Sequence, residues 1–198
     1  MSMICNLARI TEAQYASLSA GPSIITKLIY GDVDDQPVAP KRGLLSRLFS
    51  REPVPPTKTE SQTVPPIDPT DQVDLDKAWH TLHFLFTGDA WGGLFPEGFL
   101  VSCGKPVGSV DVGYGPARMF DPKEVQAIAA FVESQQADTM RKKLNPKKLL
   151  EEQIYPNFGS ESAVTDEDWA YIAGAFESAS AFIRETNRRG MAMLVYLN

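Results

Sequence analysis

The two ends of the chain are apolar on both alternations. Residues 3–10 (MICNLARI) break that pattern only at Asn6 and Arg9, and residues 191–197 (MAMLVYL) do not break it at all. A strand with one wet face alternates, whereas a strand covered on both faces reads as a continuous apolar run. Both ends therefore predict buried strands. Between them the period lengthens. In 74–87 (DLDKAWHTLHFLFT), Leu75, Ala78, Trp79, Leu82, Leu85 and Phe86 form one helical stripe. Asp74 suits the N-cap, Asp76 complements the dipole in the first turn, and Gly88 suits the left-handed stop. Residues 166–188 carry a longer stripe of Trp169, Ile172, Ala173, Phe176, Ala179, Ser180 and Ile183, ended by Gly190.

Capping patterns mark the other helices. Thr11 with Gln14 predicts a helix over about 11–19, and Pro22 opens a second over 22–30. Asp121-Pro122-Lys123-Glu124 starts a helix over about 122–137 that buries Val125, Ile128, Ala129 and Val132. Thr165 with Asp168 starts the last one. Asn145-Pro146 begins a short helix that breaks near Tyr155-Pro156. Seven glycines between 89 and 120 predict loops, with short strands near 99–103 and 107–112.

Eight of the fifteen prolines fall between Asp32 and Gln72. Proline removes a backbone donor, so this stretch reads as a mobile insert at about 32–72. Within it, GLLSRLFSR (43–51) sets Leu44, Leu45, Leu48 and Phe49 at helical spacing among arginines. Such a segment can touch a membrane surface or a partner groove. A helix folded back on the protein's own surface is the favoured reading.

The expected architecture is α/β (α+β): helices around a small central mixed sheet, with the N- and C-terminal strands in it. One domain over 1–198, interrupted by the insert, accounts for the length. Strands buried on both faces need layers above and below, and the helices supply them.

Composition narrows the function classes. The net charge of −6 and pI near 5.0 argue against nucleic-acid binding, which draws on neutralised phosphates. The two cysteines, Cys5 and Cys103, form no paired motif and fit a reducing compartment. No signal-peptide pattern opens the chain, and no stretch approaches the ~20 apolar residues of a membrane span. The expected location is cytoplasmic.

Three groups of residues can carry chemistry. Asp76, His80 and His83 fall at i, i+4 and i+7, so they project from one side of the 74–87 helix as a candidate metal site. The structural alternative is a core-bordering His83 bonded to a carbonyl and an Asp76 that stabilises the helix start. In GYGPAR (113–118), a rigid turn presents Tyr114 and Arg118 for a carboxylate or phosphate. There the alternative is an Arg118 paired to a carboxylate such as Asp111. Trp91 and Phe95, beside glycine-rich loops, are candidates for a partner-binding surface. No nucleophile elbow, phosphate-cradling loop or cofactor motif is present, and no cofactor is expected.

The motifs DLDKAWHTLHFLFTG (74–88), GYGPARMF (113–120) with DPKEV (121–125), IYP (154–156) and the closing VYLN (195–198) resemble the YfbM-like family of bacterial proteins. The likeness covers the chain outside 32–72. It implies an α/β fold with a central sheet, and it implies no activity, because the family brings no reaction or catalytic residues to carry over. The leading functional expectation is a non-enzymatic cytosolic partner-binding or accessory protein using Trp91 and Phe95. The alternative is an enzyme or small-ligand binder with a pocket near His80, His83, Tyr114 and Arg118.

Overall fold

The two apolar ends of the chain pair with each other. A computed structural model describes residues 3–31, 64–156 and 164–198. In chain order the elements are β1 (Cys5–Ile10), α1 (Glu12–Ala20), α2 (Ile25–Tyr30), β2 (Gln72–Asp74), α3 (Trp79–Thr87), β3 (Lys105–Asp111), β4 (Pro116–Phe120), α4 (Pro122–Ser134), α5 (Ala137–Lys143), α6 (Pro146–Glu151), α7 (Asp166–Arg188) and β5 (Ala192–Leu197). The sheet order is β2-β1-β5-β4-β3. β1 and β5 pair antiparallel from Cys5↔Leu197 to Ile10↔Ala192.

This pairing explains the apolar runs. Cys5, Leu7, Met193 and Val195 point to one face and pack with α3, α4 and α7. Ala8, Ile10, Ala192, Leu194 and Tyr196 point to the other and meet Leu18, Ile25 and Leu28 of α1 and α2. Both alternations are thus buried, as the period-2 geometry of a strand between two layers requires. Of the two polar exceptions, Asn6 is hydrogen-bonded, while Arg9 is ion-paired with its buried Nε lacking a directed hydrogen bond. Asn6 donates to Asn198 Oδ1 at 2.8 Å. Arg9 pairs with Asp71 at 3.3 Å and lies over the Phe182 ring at 4.4 Å.

The α+β class and the terminal strands in the sheet are as expected, but every pairing is antiparallel rather than mixed. The capping boxes at Thr11, Asp121 and Thr165 are all formed. Four local expectations change. The helix read from 74 begins only at Trp79, because Val73 and Asp74 pair with Leu7 and Asn6 at the sheet edge. Asp76 then sits in a turn at φ 45. The strand expected near 99–103 is a 3₁₀ turn, Glu97–Leu100. β4 runs through residues read as a turn.

The proline-rich stretch also changes at its end. Residues 64–72 pack on the body: Ile67 is buried, its N–H donates to Leu28 O at 2.9 Å, and Gln14 Nε2 donates to Pro65 O at 3.0 Å. The rest of the insert, with 43–51, lies outside the described residues. Among the described residues no helix is long and apolar enough to cross a membrane.

The β3–β4 turn sits tightly on the C-terminus. Gly113 has φ 147, and a Cβ there would stand 2.5 Å from Asn198 Cα and 2.8 Å from Leu197 O. Gly115 has φ 99 and open space around it. Gly113→Ala should therefore cost more than Gly115→Ala. Roughly 1–3 kcal/mol of backbone strain applies to both, and only Gly113→Ala adds a clash with backbone. Urea unfolding of the two variants checks the order.

Candidate functional site

The loop joining α3 to β3 is built by a chain of local hydrogen bonds. Gly88 (φ 75, ψ 8) closes α3 by donating its N–H to Phe84 O at 2.8 Å. The Asp89 carboxylate then accepts from Trp91 N at 2.9 Å and Gly92 N at 2.6 Å, which holds its pKa below the usual carboxylate range. The Ser102 hydroxyl donates to Gly93 O at 3.0 Å. Gly98 lies under this crossing, where an added Cβ would fall 2.2 Å from Ser102 Oγ.

Arg118 of β4 fastens the far end. Its guanidinium donates to Cys103 O at 3.0 Å, to Phe99 O at 3.3 Å and to Leu100 O. A helical turn leaves its last carbonyls without partners inside the turn, and here a cation from the sheet takes them. Three of the five guanidinium N–H groups are engaged this way. Burial lowers the pKa of Arg118 from its ordinary value, with Cys5 and Cys103 acting in the opposite direction. Asp111, the partner expected from sequence, instead accepts from Gly113 N and Gly115 N at 2.8 and 2.9 Å and shapes the turn.

An aromatic stack supports the near end. His80 is buried and both its nitrogens are in use. Nε2–H donates to Ala90 O at 2.7 Å, and Nδ1 accepts from Tyr155 N at 3.1 Å. This pair of partners fixes the neutral tautomer with hydrogen on Nε2. Burial lowers its pKa, and the Ala90 bond opposes that. The ring stacks on Trp79 at 4.8 Å and meets Trp91 at 4.4 Å. Trp79 is fully buried, and its indole N–H donates to Met3 O at 3.1 Å. Trp91 leaves 54% of its surface in solvent.

In front of Trp91 lies a cleft of about 290 Å³, walled by Pro106, Tyr114, Pro116, Arg118 and Tyr196. Of the sequence candidates, Trp91, Tyr114 and Arg118 meet there. His80 stands behind Trp91. Phe95 lies apart, half-exposed and stacked on Phe120 at 6.4 Å. Leu94, next to it, is 83% exposed and was not a sequence candidate. Its signal was an apolar residue in a glycine-bounded stretch, where no periodicity explains it. Tyr196 was read as core, and it is; its edge still reaches the cleft.

Asp76, His80 and His83 do not share one helix face, since Asp76 precedes α3 and accepts from Tyr171 Oη at 2.8 Å. Among the described residues no group of three His, Cys, Asp or Glu is placed to hold a metal ion.

His83 is the unusual member. It is fully buried, and neither ring nitrogen reaches a hydrogen-bond partner. Burial pushes its pKa down to about 4; the neighbouring Gly92 backbone works upward, and His80 and Arg118 add to the fall. In the unfolded chain this group takes its proton near pH 6.5. The unfolded state thus binds more protons between about pH 4 and 6.5, so stability is full above that window and falls as the pH drops through it. The loss is on the order of 3 kcal/mol at the acid end. His83→Leu should flatten this slope between pH 7 and 5. It should also hold or raise stability at pH 7, because two unsatisfied buried atoms disappear. Urea unfolding at the two pH values reads both effects.

The geometry has a known relative. The chain is similar to a protein of unknown function, YfbM from Escherichia coli, seen by crystallography. The two share 20% identity and a TM-score of 0.65 over 98% of this chain and 99% of that one, which is a likeness of fold. No curated protein matches. A family model described as a domain of unknown function (DUF1877) matches residues 1–196. The resemblance read from the motifs at 74–88, 113–125 and 195–198 is therefore correct, and the chain belongs to the DUF1877 family.

Proposed function

We propose that this chain is a non-enzymatic cytosolic binding protein that docks a protein partner through the 88–103 loop. The observation that carries the reading is the exposure of Trp91, Leu94 and Phe95 together on a loop held from both ends. Large apolar side chains exposed on one short loop mark a contact surface, and Trp, Tyr and Arg dominate binding energy where they cluster, as Trp91, Tyr114 and Arg118 do at the cleft. Trp91 backed by a fixed His80, with Tyr114 and Arg118 across the cleft, matches that composition. Holding such side chains in place before binding lowers the ordering cost of association.

The cleft volume supports a side chain of a partner over a free metabolite. Small-molecule sites run from roughly 300 to 1,000 Å³ and enclose their ligand. At about 290 Å³ this cleft sits at the lower edge of that range. A second reading, a small anionic ligand, draws on Arg118 and Tyr114 sharing the cleft. In that reading Arg118 has only two N–H groups left to offer.

Trp91→Ala combined with Leu94→Ser should remove partner capture from the native cytosol while the thermal midpoint stays within a few degrees. Hot-spot truncations of this kind cost about 2 kcal/mol or more, a loss of roughly thirtyfold. Affinity purification of wild-type and variant protein decides it. An unchanged set of captured proteins would remove the surface from consideration. A thermal shift with small carboxylates or phosphates that vanishes in the variant would favour the ligand reading.

A further inference from the structure

A second surface lies away from the Trp91 cleft, at the C-terminal end of α3. A depression of about 320 Å³ is lined by Phe84 to Gly88 of the helix end and by Lys143 of α5 and Lys148 of α6. Phe84 is buried, and Lys148 Nζ stands 5.7 Å from its ring centre. Residues 141–148 hold five cations in a chain of net charge −6. Two of them are neutralised: Arg141 pairs with Asp166, and Lys147 pairs with Glu151 at 3.8 Å. Lys142, Lys143 and Lys148 have no carboxylate partner among the described residues. Asp89, just beyond Gly88, is engaged by the Trp91 and Gly92 amides.

The C-terminal end of α3 offers these lysines a partial negative charge from its last carbonyls. That end carries only about −0.5 charge. The ionised Asp89 beside Gly88 adds one full negative charge to that end; Lys142, Lys143 and Lys148 together outweigh both, so a net positive field remains over the depression. We propose that this depression is a docking site for an acidic segment of a partner protein, with one apolar side chain entering the depression at the end of α3 and its carboxylates against Lys143 and Lys148. The basis is charge complementarity: the rest of the molecule is acidic and repels such a segment, so this patch also sets the orientation of approach. The site is separate from the one proposed above, and either can fail alone.

The test uses the full chain and a short labelled peptide of Asp and Glu with one central Phe, read by fluorescence anisotropy. The control peptide has Ser in place of Phe. The Phe peptide should bind saturably and several-fold tighter than the Ser peptide, as burial of one aromatic side chain allows. Raising the salt from about 0.05 to 0.5 M should weaken it, because the screening length falls from well above 10 Å toward 3 Å. Lys143→Glu with Lys148→Glu should weaken it roughly tenfold or more. Lys143→Met with Lys148→Met keeps the aliphatic stems and guards against a folding defect; it should give a smaller loss with an unchanged circular dichroism spectrum. Trp91→Ala should leave the affinity as it was. No saturable binding, equal binding of the two peptides, or indifference to both lysine pairs overturns the proposal. So does displacement of the Phe peptide by inorganic phosphate, or by phosphatidylserine vesicles, at matched charge, which would assign the patch to free anions or to a membrane surface.

Discussion

A single guanidinium ties the presented surface to the sheet. Arg118 sits on β4, paired in register with Val195 of the buried β5 strand, and its far end holds the carbonyls of Phe99, Leu100 and Cys103. Without it those carbonyls face a half-buried space with no donor, and each buried polar group left unpaired costs about 1–3 kcal/mol. Charge-assisted bonds are roughly twice as strong as neutral ones, and the planar fork suits several acceptors at once. The same engagement explains why Arg118 makes a poor anion finger. Most of its donors already serve the protein's own backbone.

The loop is therefore fixed at its end by Arg118 and at its start by Asp89 and the Trp79–His80–Trp91 stack. Rigid elements that carry an exposed loop are the usual arrangement for recognition. His80 contributes as a neutral ring with both nitrogens in backbone bonds, and protonation would break its bond from Tyr155 N. His83 lies one turn further along α3 with no partner for either nitrogen. One histidine props the surface, and the other is a cost that the packing around it carries.

Local signals made much of the fold legible in sequence. The capping boxes at Thr11, Asp121 and Thr165 gave three helix starts, because a cap and the residue three positions on act within one turn. The apolar ends, interrupted only at Asn6 and Arg9, marked the buried strands. Asp74 misled for an equally physical reason: an aspartate ahead of an apolar stripe looks like an N-cap, but pairing with β1 at the sheet edge prevailed. The site was harder to read. Arg118 was visible as a residue, whereas its partners are backbone carbonyls 15 to 19 positions away, and carbonyls leave no mark in a sequence. His80 and His83 stood out as metal or ligand candidates on one helix; only tertiary packing shows that both nitrogens of His80 are bonded to backbone and that His83 does not make the carbonyl bond expected of a core histidine.

Amide hydrogen exchange in wild-type protein and Arg118→Met tests the central constraint most directly. The amides of Gly98, Val101, Ser102 and Cys103 are bonded within the loop, and they should exchange at least about tenfold faster in the variant, equivalent to 1.4 kcal/mol or more of local opening. Those of β1, β5 and α7 should keep their protection. Unchanged exchange over 97–103, or an equal rise across the whole sheet, would contradict the view that Arg118 holds this loop in place.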